Sequence, residues 1–376
     1  MAKVIINSKI YTGVRIILHG YLRFDSTVIA IGPMTDYQPQ ADDQLINGEN
    51  RLVVPGFIDV HVHGGYGTDS MDNDPRRIGQ MVDKMGAEGV TGIFVTTMTQ
   101  SPQRIASAMK TINLAAQKNQ GILGIHLEGP FISTKFNGAQ PINEIQQPNK
   151  IELAKWQQLS GNRIRLLTYA PENTVDPDFQ AYCQQYHIVM SVGHSDATFG
   201  QLQKARPTHV THLFNAQRGF QHREVGVVGY AMLANQTHVE LICDGYHVKP
   251  EAVKIAYKII GATRLELITD AMEAKGMPDG QYQLGEQPVR VHNGRAVLKN
   301  GRLAGSILKY KDAFKNIIQF TGCTIEDAVR MSSTNQANEF HLKGKESLEV
   351  GNDADLNLFD KGLDLMATYR YGKLLD

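Results

Sequence analysis

Eight short apolar runs, separated by segments of helical length, set the rhythm of the chain over residues 53–62, 92–98, 121–127, 164–170, 188–192, 209–214, 239–243 and 265–269. The stretches between them include 75–87, 102–117, 150–159, 178–186 and 250–260, several of which begin on Asp, Ser or Pro as helices do. Alternation of this kind is the pattern of repeated βα units. Eight of them predict an α/β protein of the (β/α)8 TIM-like barrel class, in which the active site lies at the C-terminal ends of the strands.

The 376 residues exceed what such a barrel needs. Residues 1–52 read instead as short strands broken at Gly13, Gly32-Pro33 and Asn47-Gly48. Residues 347–359 alternate apolar and polar around the turn Gly351-Asn352-Asp353. The expected organisation is therefore a barrel over 53–346 and a small flanking β-sandwich built from both chain ends, 1–52 with 347–376. A β-hairpin insertion is expected near 279–300, where Asn293-Gly294 is a strong turn signal. Helices are expected to resume over 307–320 and 324–331.

The polar residues that close the runs are the ones that matter in a barrel. The first run delivers His61 and His63, two apart and so able to face one point. His-x-His alone is a weak signal. The third run ends in Glu128, the fifth is followed by His194 and the sixth holds His212. Four histidines and a glutamate ending four strands point to a divalent metal centre, one that suits zinc, iron, manganese or cobalt equally. His126 shares the parity of Glu128 but lies one layer deeper, so it reads as a hydrogen-bonded interior histidine. Asp270 closes the eighth run, where a carboxylate can serve as general base and then general acid.

Charge and cysteine usage narrow the partners. Lys+Arg and Asp+Glu balance at 38 each, which gives no reason to expect nucleic acid or an anionic membrane. Cys183, Cys243 and Cys323 are odd in number and widely spaced, against a disulfide framework or a thiolate metal site and in keeping with a reducing cytoplasm. No stretch reaches the roughly 18–20 apolar residues of a membrane span, and the first twenty residues lack the apolar centre of a signal peptide.

The segment Pro55-Gly56-Phe57-Ile58-Asp59-Val60-His61-Val62-His63-Gly64-Gly65 resembles the opening of the amidohydrolase superfamily. The motifs His126-Leu127-Glu128-Gly129-Pro130-Phe131, Val192-Gly193-His194-Ser195-Asp196-Ala197, Thr211-His212-Leu213-Phe214-Asn215-Ala216, Asp244-Gly245-Tyr246-His247 and Thr269-Asp270-Ala271-Met272 together resemble the N-acetylglucosamine-6-phosphate deacetylases. Similarity continues through Leu303-Ala304-Gly305-Ser306 and Gly351-Asn352-Asp353-Ala354-Asp355-Leu356, nearly the whole chain. The resemblance implies hydrolysis of the N-acetyl group of a 6-phosphorylated amino sugar by a metal-dependent dimer. It implies Glu128, His194 and His212 as principal metal ligands, His61 and His63 as ligands of a second ion, and Asp270 as the catalytic acid and base. Substrate contacts are implied for Ala139, Gln140, Asn215, Ala216, His247 and Leu303, and Arg223 is implied as a phosphate clamp reaching the neighbouring subunit.

The chain departs from that pattern in three places. Gln140 stands where many members have a histidine that helps polarise the acetyl carbonyl, Gln217 where methionine is usual, and Gln336 where a proline is common. Presence of His-x-His together with absence of that histidine suggests that a second ion shares the work, so that one or two ions are expected per chain. Two other readings stay open at this level: another amidohydrolase reaction, such as deacetylation of N-acetylgalactosamine-6-phosphate or opening of a cyclic amide, and a non-catalytic sugar-phosphate-binding relative.

Overall fold

A computed structural model describes residues 2–173 and 177–375. Eight parallel strands stand side by side in chain order: β1 (Phe57–Val62), β2 (Val90–Thr97), β3 (Ile122–Glu128), β4 (Ile164–Tyr169), β5 (Val189–Val192), β6 (His209–Val210), β7 (His238–Ile242) and β8 (Leu265–Ile268). Helices follow the strands and cover them from outside, so the strands are buried on both faces and read as nearly continuous apolar runs. The barrel meets itself between β8 and β1 through a few specific bonds. Asp270 N donates to His61 O at 2.9 Å and His63 N to Ala271 O at 2.8 Å. Below them Thr269 Oγ1 donates to Asp59 Oδ2 at 2.5 Å. The seam that closes the barrel therefore runs through the residues expected to do chemistry.

Two of the eight runs are shorter than expected. The first divides at Gly56: Leu52–Pro55 pairs with Lys3–Tyr11 and Leu356–Phe359 in the outer sheet, and only Phe57–Val62 enters the barrel. A Cβ on Gly56 would come within 2.3 Å of the Thr91 side chain, so the crossing needs glycine. The sixth keeps ladder pairing only over His209–Val210, because His212 and Phe214 turn to left-handed backbone at φ 31° and 77°. The helices Phe199–Ala205 and Gly226–Leu233 were not expected from sequence. Past Ile325–Val329 a π-helical turn, Arg330–Thr334, leads into the helix Asn335–Glu339. There Gln336 donates to Met331 O at 2.8 Å, a structural duty for this unusual residue.

The chain ends combine in one continuous eight-stranded sheet, which is the form taken by the expected sandwich. It closes over its own apolar cluster, including Ile5, Ile10, Leu22, Phe24, Val53 and Leu356. The insertion is three-stranded, Gly280–Leu284, Gln287–His292 and Arg295–Val297, one strand more than a hairpin. Its second turn has Asn293 and Gly294 at φ 51° and 77°, as a type I′ turn requires.

The loop after β8 is anchored by a buried ion pair. Lys275, with no exposed side chain, places Nζ 3.3 Å from Glu88 Oε2, and Glu88 also accepts from Tyr66 Oη and Tyr310 N at 2.5 and 3.0 Å. Removing one partner leaves a buried charge uncompensated. Glu88→Ala is expected to cost about 3–5 kcal/mol of stability in urea unfolding, and the double variant Glu88→Leu/Lys275→Met to lose clearly less.

Candidate metal centre and active site

Four imidazoles converge on one carboxylate at the C-terminal mouth. Glu128 ends β3, and its Oε1 lies 3.2 Å from His194 Nε2, 3.0 Å from His212 Nε2 and 3.4 Å from His61 Nε2. Its Oε2 lies 3.2 Å from His63 Nε2. Asp270 Oδ1 stands on the far side, 3.5 and 3.3 Å from His61 and His63 Nε2. Local backbone makes this convergence possible: His194, His212 and Asp270 all adopt left-handed φ, at 48°, 31° and 49°, directly after their strands. Such conformations are strained for residues with a Cβ and persist where surrounding structure imposes them.

Outer partners set which nitrogen faces the centre. His194 Nδ1 donates to Phe136 O at 2.9 Å, and His61 Nδ1 donates to the fully buried Glu240 at 2.9 Å. Both leave the Nε2 lone pair turned inward, the arrangement found for metal-binding histidines. His61 Nε2 has no hydrogen-bond partner, and the Nε2 atoms of His194 and His212 stand 3.1 Å apart, too close for two protons. Two ligand groups result, Glu128 with His194 and His212, and His61 with His63 and Asp270. These donors fit divalent metal.

Electrostatics agree with that fit. Burial alone would depress His61 and His63, yet the carboxylates around them raise the two to about 9 and about 10. Glu128 is held well below the usual carboxylate range: burial pushes it up, but His61 and His194 outweigh that. Asp270 is likewise lowered, by His61 and His63 against burial. The carboxylates thus set up a negative field at the imidazoles, the field that favours a cation between them.

Most of the residues implied as substrate contacts lie around one cavity of about 430 Å³ at this mouth, which Ala139, Gln140, Asn215, Ala216, His247 and Leu303 all line. Gln140 is buried and committed: Nε2 donates to Glu128 Oε2 at 2.6 Å while Oε1 accepts from Thr99 N at 2.8 Å. Here the amide steadies the carboxylate on which the four imidazoles converge. His247 is held by Asp244 at 2.6 Å. Arg223 is exposed and lies outside the lining of this cavity. Gln217 is buried, with neither side-chain polar atom partnered among the described residues. His126 is an interior residue as expected, its Nε2 2.7 Å from Thr168 Oγ1.

An amidohydrolase family model matches residues 52–374. The chain belongs to the amidohydrolase family. Among members of that family it is 42% identical over 347 residues to the N-acetylglucosamine-6-phosphate deacetylase of Lysinibacillus sphaericus, covering 89% of this chain and 88% of that one. It is 37% identical over 382 residues to the enzyme of the same name from Bacillus subtilis (strain 168), covering 97% and 95%. The solved structure of a Mycobacterium smegmatis N-acetyl-D-glucosamine-6-phosphate deacetylase, an aspartate-to-alanine mutant in complex with N-acetyl-D-glucosamine-6-phosphate, superposes with a TM-score of 0.93 at 30% identity over 100% of this chain and 99% of that one.

Sequence reasoning missed Glu240, Lys135 and Arg302 in this amidohydrolase. Glu240 carried a readable signal, a charge in the middle of the apolar run 239–243. Lys135 and Arg302 carried none, since they reach the cavity from loops. Lys135 is paired with Asp196 at 2.7 Å, whereas the Arg302 guanidinium lies 3.5 Å from Asn137 Oδ1 and has no acidic partner among the described residues.

Proposed function

We propose that this chain hydrolyses the N-acetyl group of N-acetylglucosamine-6-phosphate, giving acetate and glucosamine-6-phosphate in amino-sugar breakdown. The observation that carries the reading is the placement of Asp270 beside Glu128, His194 and His212 at the head of one cavity, in a chain 42% identical to a deacetylase of that name. We read the centre as a site for two ions, with Glu128, His194 and His212 for one, and His61 and His63, which Glu128 also faces, for the other. The metal's identity within the zinc, iron, manganese and cobalt class is left open by the ligands. A bound ion there supplies a lowered water pKa and charge stabilisation for the oxygen of the attacked carbonyl.

The protein's own groups do the rest. Asp270 Oδ1, low in pKa and fixed by the backbone seam, takes a proton from the attacking water and returns it to the departing amine. Gln140 holds Glu128 from behind, and Glu240 holds the His61 tautomer. Asn215, Ala216, Ala139, His247 and Leu303 surround the sugar. Arg302 is a cation at the rim with no acidic partner among the described residues and is placed to meet anionic substrate. Arg223, exposed and outside this cavity, is read as the residue a homodimer lends to the neighbouring site. Three free buried thiols suit a cytoplasmic enzyme, and among the described residues no helix is long and apolar enough to cross a membrane.

The test is acetate release from a panel of N-acetylglucosamine-6-phosphate, N-acetylgalactosamine-6-phosphate and the unphosphorylated sugars. The glucosamine phosphate is expected to give the highest kcat/KM. Equal or greater turnover of the galactosamine epimer reassigns the substrate, and binding without acetate release reassigns the protein as a sensor.

A further inference from the structure

The barrel is charged at both ends. At its N-terminal end, opposite the active site, His209 and His238 open β6 and β7, Glu266 is the second residue of β8, and Glu339 ends the helix Asn335–Glu339 that packs beneath them. His209, Glu266 and Glu339 each offer a ligand atom, all within 4.8 Å of one another. We propose that these three residues, with His238 beside them, form a second and separate site for a divalent cation of the zinc class.

Four observations support it. Glu266 is fully buried, yet its Oε2 has no hydrogen-bond partner. His209 Nε2 donates to Glu240 Oε1 at 3.2 Å, which turns Nδ1 toward the cluster, 2.9 Å from Glu339 Oε2. A nitrogen lone pair rests at that distance from a carboxylate only with a proton or a metal ion between them. Tetrahedral bonds of about 2.0–2.1 Å set neighbouring ligand atoms roughly 3.3 Å apart, and the spacings here bracket that value. Around the cluster His209 Nδ1 to Glu339 and His238 Nδ1 to Glu266 are both 2.9 Å, and His238 Nδ1 to Glu339 is 3.9 Å.

Charge balance separates the two occupants. Protonated histidines would neutralise the acids but leave Glu266 Oε2 unused. A divalent ion neutralises Glu266 and Glu339 with both imidazoles uncharged, and gives that oxygen a partner. Entry is available: Glu339 lines a cavity of about 360 Å³ together with Arg165, His187, Arg206 and His341, and none of its lining residues belongs to the active-site cavity. Glu240 stands between the ends, taking a proton from His61 on one side and from His209 on the other.

The experiment is zinc content per chain after equilibration with excess zinc and gel filtration. Wild type is expected to hold one zinc more than Glu339→Gln and one more than Glu266→Gln, the variants keeping the ions of the mouth. Added zinc should raise the Tm of wild type more than that of either variant. Glu339 leaves 7% of its side chain exposed, so Glu339→Gln serves if the fully buried Glu266→Gln fails to fold, with the more exposed His238→Ala, 24%, as a further variant. Equal zinc content in wild type and a folded Glu339→Gln or Glu266→Gln overturns the proposal and leaves the cluster as protonated histidines paired with carboxylates.

Discussion

Asp270→Asn is expected to lower kcat for acetate release by about 10²–10⁴-fold while leaving the ion of Glu128, His194 and His212 in place. The amide keeps the shape of the side chain, and the backbone bond from Asp270 N to His61 O that closes the barrel does not involve the changed atoms. What disappears is the proton acceptor at Oδ1, which stands 3.3 Å from His63 Nε2 and faces the cavity. KM should change little, because the loss falls on a proton transfer that occurs only during turnover. Substantial remaining turnover would assign the acid and base work elsewhere.

Glu128→Ala should abolish more. This carboxylate is the one group that all four imidazoles share, and Gln140 donates to it as well. Its removal is expected to release both ions of the mouth, so that metal analysis gives two ions per chain fewer than wild type. Activity should fall by about 10³-fold or more, since a metal supplies several kcal/mol of charge stabilisation and each 1.36 kcal/mol is tenfold in rate. Added metal should not restore it. A loss of one ion only, with turnover largely kept, would limit Glu128 to a single ion. Ions at the N-terminal end are on separate ligands and should survive this change, which keeps the two metal proposals distinguishable in one measurement.

Much of this is legible in the sequence. Strand-length apolar runs predicted eight barrel strands because strands buried on both faces leave that signature. His61, His63, Glu128, His194, His212 and Asp270 stood out because each is a polar residue just where an apolar run stops. Less was legible where residues serve two structures at once. The run 53–62 looked like one strand, but Gly56 lets its first part join the outer sheet. The run 209–214 looked like a strand to its end, but left-handed backbone at His212 and Phe214 ends it early to aim the imidazole.

The sequence by itself determined the barrel class and the polar residues that close its strands, since period and residue type are local properties that an isolated chain displays. Only tertiary structure decided what those ligands face. Gln140 reads in sequence as a weakened substrate contact, yet its amide donates to Glu128, and Glu240, which sequence reasoning missed, stands between His61 and His209. Glu339 drew no attention at all, and it meets His209 across 130 residues of chain. Such pairings arise from how the barrel closes and how a distant helix packs beneath it, and no spacing along the chain encodes either.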